Sequence, residues 1–509
     1  MSEMKKKIAD LMAQHSLKRA SECAPKDATQ EHGMESRADG EVSPVKRGAA
    51  PPDGDASPIN GDAAQAAGEV SPGESLDDEL RRRRRTLLDL SHRLNLRSGA
   101  EWAQEKEALA ARLEAGDFEI DRVIPGELVG DEESRFFLVR RDYPLDHQQG
   151  DLRLGDALQC LSAHVAFSAC DPALADFNPQ TALFMDTETI GLAGGAGTVA
   201  FLVGVGYFQG GTFRLEQAFM RDFDEEEPML RYLDGLFRGR SAVVTYNGKC
   251  FDVPLLRTRF IQNRLPFRLD AALQYDLLHA ARRFWKRRLG DCGLANIERE
   301  VLAVRRHGDV PSAEIPELWL DYLRTRDARP LEAVFYHHKT DILSLAGLMG
   351  RLSNDLSAPQ GKGFAHAEER ISLLRLYFMQ KNYPEVLEYG QRLLEDETHA
   401  TLRCECLYYM GMACKRLEQW LAMEEAWTLL LAEDPRNLIA RAELAKYYEH
   451  RARNLLEAER ICAETIALLE TRSAFSPSER PAGINDFQHR LIRIRRKLGR
   501  KTGDMDLPE

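Results

Sequence analysis

The spacing of apolar residues along the chain changes character several times. Between about residues 20 and 75 Ala, Gly, Ser, Pro, Asp and Glu dominate, and large apolar side chains are scarce. Such a stretch cannot bury enough surface to offset ordering entropy, so residues 1–75 are expected to be disordered and of low complexity. From Leu76 to about Gly99, Leu80, Leu87, Leu88, Leu90 and Leu94 share one side of a helical pattern that also carries Arg81 to Arg85. This predicts a basic helical segment over 76–116. Residues 117–181 mix turns with short β-like runs such as Phe136-Phe137-Leu138-Val139, and read as an accessory β-rich lead-in.

At Ala182 the pattern becomes α/β. The apolar run Ala182–Met185 is followed by Val199–Gly206 and Thr212–Met220 across short Gly-rich connections, which predicts antiparallel neighbours. A helix opens at Asp224-Glu225-Glu226-Glu227-Pro228, where carboxylates suit the positive end of the dipole, and the strand Ala242–Tyr246 comes next. The expected unit, residues 182–355, is a mixed sheet flanked by helices. Over 366–500 the pattern is helical with an internal period. Asn382-Tyr383-Pro384-Glu385 is echoed at Gln419-Trp420-Leu421-Ala422 and at Asn454-Leu455-Leu456-Glu457, about 36 residues apart, predicting an all-α repeat domain that closes on a basic helix.

Composition narrows the function classes. The net charge of −12 over 509 residues excludes a general cation coat, so attraction to nucleic acid would need local basic patches or bound metal. No apolar run approaches the roughly 20 residues of a spanning helix, so no membrane partner is expected. The basic start Met1–Lys7 lacks an apolar core and does not read as a secretory signal. Nine cysteines without framework spacing fit reduced thiols, and a cytoplasmic location is expected.

The candidate chemistry lies in three segments. Asp186 and Glu188 sit two apart after a buried strand, so both point to one side. Two carboxylates 4 Å apart repel by roughly 4 kcal/mol at an effective dielectric near 20. A hard divalent cation relieves that repulsion, which points to Mg²⁺ or Mn²⁺. Asp252 closes the run Asn247-Gly248-Lys249-Cys250-Phe251-Asp252, where a strand gives way to a helix, the usual place for site residues in an open α/β sheet. Phe251 itself is expected in the core. His337 and Asp341 stand at i and i+4 of a helix and share a face.

Taken in order, Asp-x-Glu, Asn-x-x-x-Phe-Asp and His-x-x-x-Asp resemble the three motifs of the DnaQ-like, or DEDD, 3′–5′ exonucleases, which have a ribonuclease-H-like fold. The layout, with helical repeats after His337-x-x-x-Asp341-Ile-Leu-Ser-Leu, is most similar to bacterial YprB-type proteins. The repeats resemble the tetratricopeptide family, including its inter-repeat turn at Asp434-Pro435-Arg436-Asn437. The resemblance implies that Asp186, Glu188, Asp252 and Asp341 hold two divalent cations, and that hydrolysis of phosphodiester bonds proceeds by a two-metal mechanism. It makes His337 the candidate for orienting or deprotonating the attacking water. The spacing departs from the family here. The histidine branch places four residues between its His and Asp, whereas this chain has His337 at the three-residue spacing of the tyrosine branch and Tyr336 at the longer one. The base is therefore open between His337 and Tyr336.

The implied substrate is DNA or RNA, as single strands or 3′ ends, with Thr187 and Asn247 as candidate contacts. For Asn247 a loop-holding role stands beside that one. In the run Arg282-Arg283-Phe284-Trp285-Lys286-Arg287-Arg288, Arg282, Arg283, Lys286 and Arg287 alternate with aromatics, as a single-strand groove would. An amphipathic helix with Phe284 and Trp285 facing the core gives the same pattern. A second candidate patch is Arg490–Lys501. The repeats imply a protein partner. Two rivals remain: a catalytically weak or inactive nucleic-acid-binding scaffold, and a structure-specific endonuclease.

Overall fold

The computed structural model describes residues 107–499, apart from 109, 113–114, 191–197, 359–362, 397–398 and 471–478. The expected disordered region 1–75 and most of the basic segment 76–116 lie outside the described residues.

Nine strands are described: β1 (Glu127–Gly130), β2 (Arg135–Pro144), β3 (Gln148–Gln149), β4 (Leu152–Arg153), β5 (Ala182–Ile190), β6 (Val199–Gln209), β7 (Thr212–Phe219), β8 (Ala242–Thr245) and β9 (Leu273–Asp276). Strands β3 and β4 form a separate ribbon; the other seven make one sheet in the order β1-β2-β7-β6-β5-β8-β9. All pairings from β1 to β5 are antiparallel, and β5, β8 and β9 run parallel. Residues 127–144, expected as a layer leading into the sheet, instead extend it: β2 pairs with β7 from Phe137↔Phe219 to Pro144↔Thr212.

The strand period sorts side chains between two cores. Leu183 and Met185 join one cluster with Leu230, Val253 and Leu256, residues of helices α2 (Glu226–Phe237) and α3 (Asp252–Gln262); α1 (Ser162–Ala169) precedes them in the chain. Ala182 and Phe184 join the other cluster with Ala281, Phe284, Ile342 and Leu345, residues of α4 (Leu277–Leu289) and α6 (Leu331–Ser357); α5 (Ile315–Thr325) lies between these two in the chain. The 27-residue α6 lies across β5, β6 and β7.

Two glycines on β6 permit this approach. A Cβ at Gly204 would overlap Ile342 Cδ1 and His338 Cε1, and one at Gly206 would overlap the Phe213 ring. Gly204→Ala is expected to cost about 1–3 kcal/mol through overpacking and to move α6 off the sheet. Denaturant midpoints compared with those of an alanine variant at the open position Gly235 check this.

After α6 the chain forms α7 (Ala367–Met379), α8 (Tyr383–Asp396), α9 (Ala400–Arg416), α10 (Trp420–Glu433), α11 (Leu438–His450), α12 (Leu455–Glu470) and α13 (Glu479–Lys497). Each packs on the next in the chain. The three echoed segments open α8, α10 and α12, and the residue before each segment (Lys381, Glu418 and Arg453) has a left-handed backbone, with φ of 63°, 56° and 55°. The period in the sequence is therefore a period in turn geometry. The array joins the sheet domain through α7 and α4, with Phe284 stacked on Phe364 at 4.9 Å and Arg288 paired with the buried Glu369 at 2.7 Å.

Candidate metal centre

Strand β5 runs past its parallel neighbour. Its pairing with β8 ends at Phe184↔Val244, while pairing with β6 continues through Asp186↔Gly204 and Glu188↔Leu202. The two carboxylates therefore lie within the strand and not at its end as expected, beside the point where β8 gives way to its loop. By the strand period they share the face of Phe184, toward α6.

From the opposite side, Asp252 is the first residue of α3 and is buried. Thr187 Oγ1 donates to its Oδ1 at 2.5 Å. The loop that delivers it is pinned by Asp276, whose carboxylate accepts from the Asn247 N–H at 2.8 Å, the Leu278 N–H at 3.0 Å and the Lys249 N–H at 3.3 Å. Asn247 adopts φ +66°, a conformation that Asn tolerates better than most residues. This supports its loop-holding role. Phe251 departs from expectation: it is 49% exposed, because the turn that buries Asp252 leaves the preceding ring outside.

On α6, His337 and Asp341 are both buried. His337 Nε2 lies 3.4 Å from Asp341 Oδ2, and donor atoms of Glu188, His337 and Asp341 all fall within 4.8 Å of one another. Electrostatics tie the remaining acids to this cluster. Burial, followed by the charges of Asp341, Asp252 and Glu188, pushes the Asp186 carboxyl well above the usual carboxylate range, with Arg306 drawing it partly back. Burial and then Asp341 and Asp252 push Glu188 up to about 8. Asp252 is pushed up to about 6, chiefly by burial and against the Thr187 hydrogen bond. Asp341 is likewise raised by burial, against Arg306 and His337. The close group is thus Glu188, His337 and Asp341, and Asp186 and Asp252 are related to it through charge.

Strand order decides the fold. Three antiparallel strands, β7-β6-β5, carry two parallel ones, β8 and β9, on the far side of β5. The domain is ribonuclease-H-like. Residues 183–353 match the family model described as the RNase_H superfamily. The chain is also 28% identical over 344 residues to the uncharacterized protein YprB of Bacillus subtilis (strain 168), a match covering 66% of this chain and 81% of that protein. A ribonuclease-H-like domain suggests a nuclease-type activity on nucleic acid, and its acidic cluster suits divalent metal. No described helix is long and apolar enough to cross a membrane.

Several residues around this ribonuclease-H-like site carried no sequence signal. Arg306 lies in the loop before α5. Its Nε and Nη2 donate to Glu298 at 2.5 and 2.6 Å, its Nη1 donates to Asp309 Oδ2 at 3.1 Å, and Nη2 also donates to Asp341 Oδ1. Nothing in Arg305-Arg306-His307 marks the middle residue. His338, beside the expected His337, is fully buried and held neutral, its pKa pushed down to about 3 by desolvation. Gln217 Nε2 donates to the Phe335 carbonyl oxygen at 3.0 Å and lies 3.2 Å from His338 Nδ1. His338 Nε2–H then donates to the Asp186 carbonyl oxygen at 3.1 Å. A glutamine within the apolar strand Thr212–Phe219 was the available clue, since a buried amide needs a partner.

The expected basic groove is not formed as a stacking platform. Phe284 and Trp285 are fully buried, as the amphipathic alternative requires. Arg283 donates to the Ser168 carbonyl oxygen at 3.0 Å and Arg287 pairs with Glu405 at 2.5 Å, while Arg282 and Lys286 face solvent. In the second patch Arg490, Arg493 and Lys497 pair with the buried Glu449. Tyr336 turns aside from the cluster, its hydroxyl accepting from the His307 N–H at 3.3 Å.

Thr187→Val removes the hydrogen bond that orients Asp252. By analogy with outer-sphere groups at metal sites, it is expected to lower Mn²⁺ affinity by about 10-fold or more. Calorimetric titration of the variant and of wild type checks this.

Proposed function

We propose that the protein is a metal-dependent 3′–5′ exonuclease of the DnaQ-like type, hydrolysing phosphodiester bonds of single-stranded DNA or RNA. One observation carries the reading: donor atoms of Glu188, His337 and Asp341 fall within 4.8 Å of one another, and the charges of Asp252 and Asp341 add to burial in raising the Asp186 and Glu188 carboxyls. A cluster of that kind is matched to cationic ligands, and two divalent ions, Mg²⁺ or Mn²⁺, fit its oxygen-rich donor set. Asp186, Glu188, Asp252 and Asp341 would hold them. When bound, the ions would supply charge neutralisation at the phosphate and a more acidic attacking water.

The chain's own groups then have separate tasks. Asp276 and Thr187 orient Asp252. His338 holds the β5 backbone at Asp186. The exposed Phe251 and the Asn247 loop lie beside Asp252, where a strand end would be received. Arg282 and Lys286 remain available for phosphate contacts, and the helical pairs, tetratricopeptide-like in period, would grip a protein partner.

The test is purified wild-type protein on 5′-labelled single-stranded DNA and RNA, with Mn²⁺, Mg²⁺ or chelator. Metal-dependent ladders shortening from the 3′ end support the reading. Defined internal fragments would point to an endonuclease, and intact substrate that is bound but uncut would point to a scaffold.

A further inference from the structure

We propose that His337 is a metal ligand, completing with Glu188 and Asp341 a site for a first-row divalent transition ion, and does not serve as a free proton acceptor. The inference rests on the metal-dependent reading above and deepens it by naming the ion class. Its basis is the way His337 is held. Nδ1 lies 2.9 Å from Asp309 Oδ1 and 3.1 Å from Arg306 Nη1. A carboxylate oxygen accepts, so the closer contact has Nδ1–H donating to Asp309 Oδ1, whose other oxygen accepts from Arg306 Nη1. Nε2 faces Asp341 Oδ2, 3.4 Å away, with Ser312 Oγ at 3.3 Å. Donor atoms of His337, Asp341 and Glu188 all lie within 4.8 Å of one another, close enough to share one ion.

The surroundings follow the pattern of a ligating histidine, whose second nitrogen donates to a carboxylate while the ligating carboxylates are themselves hydrogen-bonded. Asp309 supplies the first partner and Arg306 the second, on Asp341 Oδ1. Arg306 is in turn fixed by Glu298, which is 1% exposed. Asp341 therefore has one oxygen committed to the protein and one free for an ion. A donor set of two carboxylates and an imidazole suits Mn²⁺ and its later neighbours better than Mg²⁺, which favours all-oxygen shells rich in water.

Pulsed EPR of Mn²⁺ added to chelator-stripped full-length protein reads the ligand directly. Wild type is expected to show ¹⁴N coupling to Mn²⁺, and His337→Gln to lose it. By calorimetry, His337→Gln should weaken Mn²⁺ at least 10-fold while changing Mg²⁺ less than 2-fold, and Asp309→Asn should weaken Mn²⁺ about 10-fold with the ligand itself in place. Mn²⁺ bound without nitrogen coupling, or no Mn²⁺ bound, overturns the inference, and the wild-type spectrum decides this even if a variant fails to fold. Cleavage without nitrogen coupling leaves the nuclease reading standing and removes this one; coupling without cleavage does the reverse.

Discussion

Asp186→Asn is expected to lower Mn²⁺-dependent cleavage of a single-stranded substrate by about three orders of magnitude, equivalent to about 4 kcal/mol of barrier, while raising the melting temperature of the metal-free protein. Both effects have one cause. Asp186 meets the charges of Asp341, Asp252 and Glu188 with Arg306 as the opposing cation. Arg306 is largely committed to Glu298 and Asp309. Removing one negative charge relieves the metal-free fold and removes a ligand from the centre. The substitution keeps the side-chain shape and leaves the His338 hydrogen bond intact, because His338 bonds the backbone carbonyl of Asp186. The loss should therefore appear in kcat with KM little changed. Single-turnover cleavage and thermal melts on the same preparations check both halves. A variant that is inactive and also less stable than wild type would mean that Asp186 serves packing.

The second large effect is on stability against pH. Metal-free protein is expected to lose stability as pH rises from about 4.5 to about 8, and divalent metal to restore it. Glu188 shows the sign. Its carboxyl has an ordinary value of 4.5 and is pushed up to about 8 in the fold. Between those values the folded state holds a proton that the unfolded state has released, so raising pH favours unfolding. The penalty is absent below about 4.5 and complete above about 8. Asp252, at about 6, adds to it in the lower part of that window. The summed effect is of the order of a few kcal/mol, and a bound cation removes it by neutralising the ionised forms. Melting temperatures measured from pH 5 to 9, with chelator and with Mn²⁺, should diverge as pH rises. Parallel curves would count against the shared charge.

The sheet was largely legible because β6 and β8 are apolar throughout or nearly so, β5 opens on an apolar run and a tight turn joins β6 to β7, and period alone places Asp186 and Glu188 on one face. Sequence also brought Asp252 and Asp341 forward, since each stands at a recognisable junction: strand to helix, or i and i+4. What it missed falls into two kinds. The fate of Arg282–Arg288 depended on which face of α4 met α7, a tertiary choice that an amphipathic pattern leaves open. Arg306 and Asp309 come from a loop without periodicity, so their convergence on His337 is set by chain path. His338 was hidden by its neighbour: His337 alone has the spacing to Asp341, yet the residue that secures β5 is the one facing the sheet. Phe251 was misplaced for a related reason, because an aromatic before a helix reads as core unless the turn geometry is known.

The central claim is that residues far apart in sequence form one cation site, and titration calorimetry of Mn²⁺ into chelator-stripped protein tests it most directly. Saturable binding that weakens by at least 10-fold on asparagine substitution at Asp186, Asp252 or Asp341 alike is the predicted result. Binding unaffected by any one of these three changes, in a variant that remains folded, would contradict it.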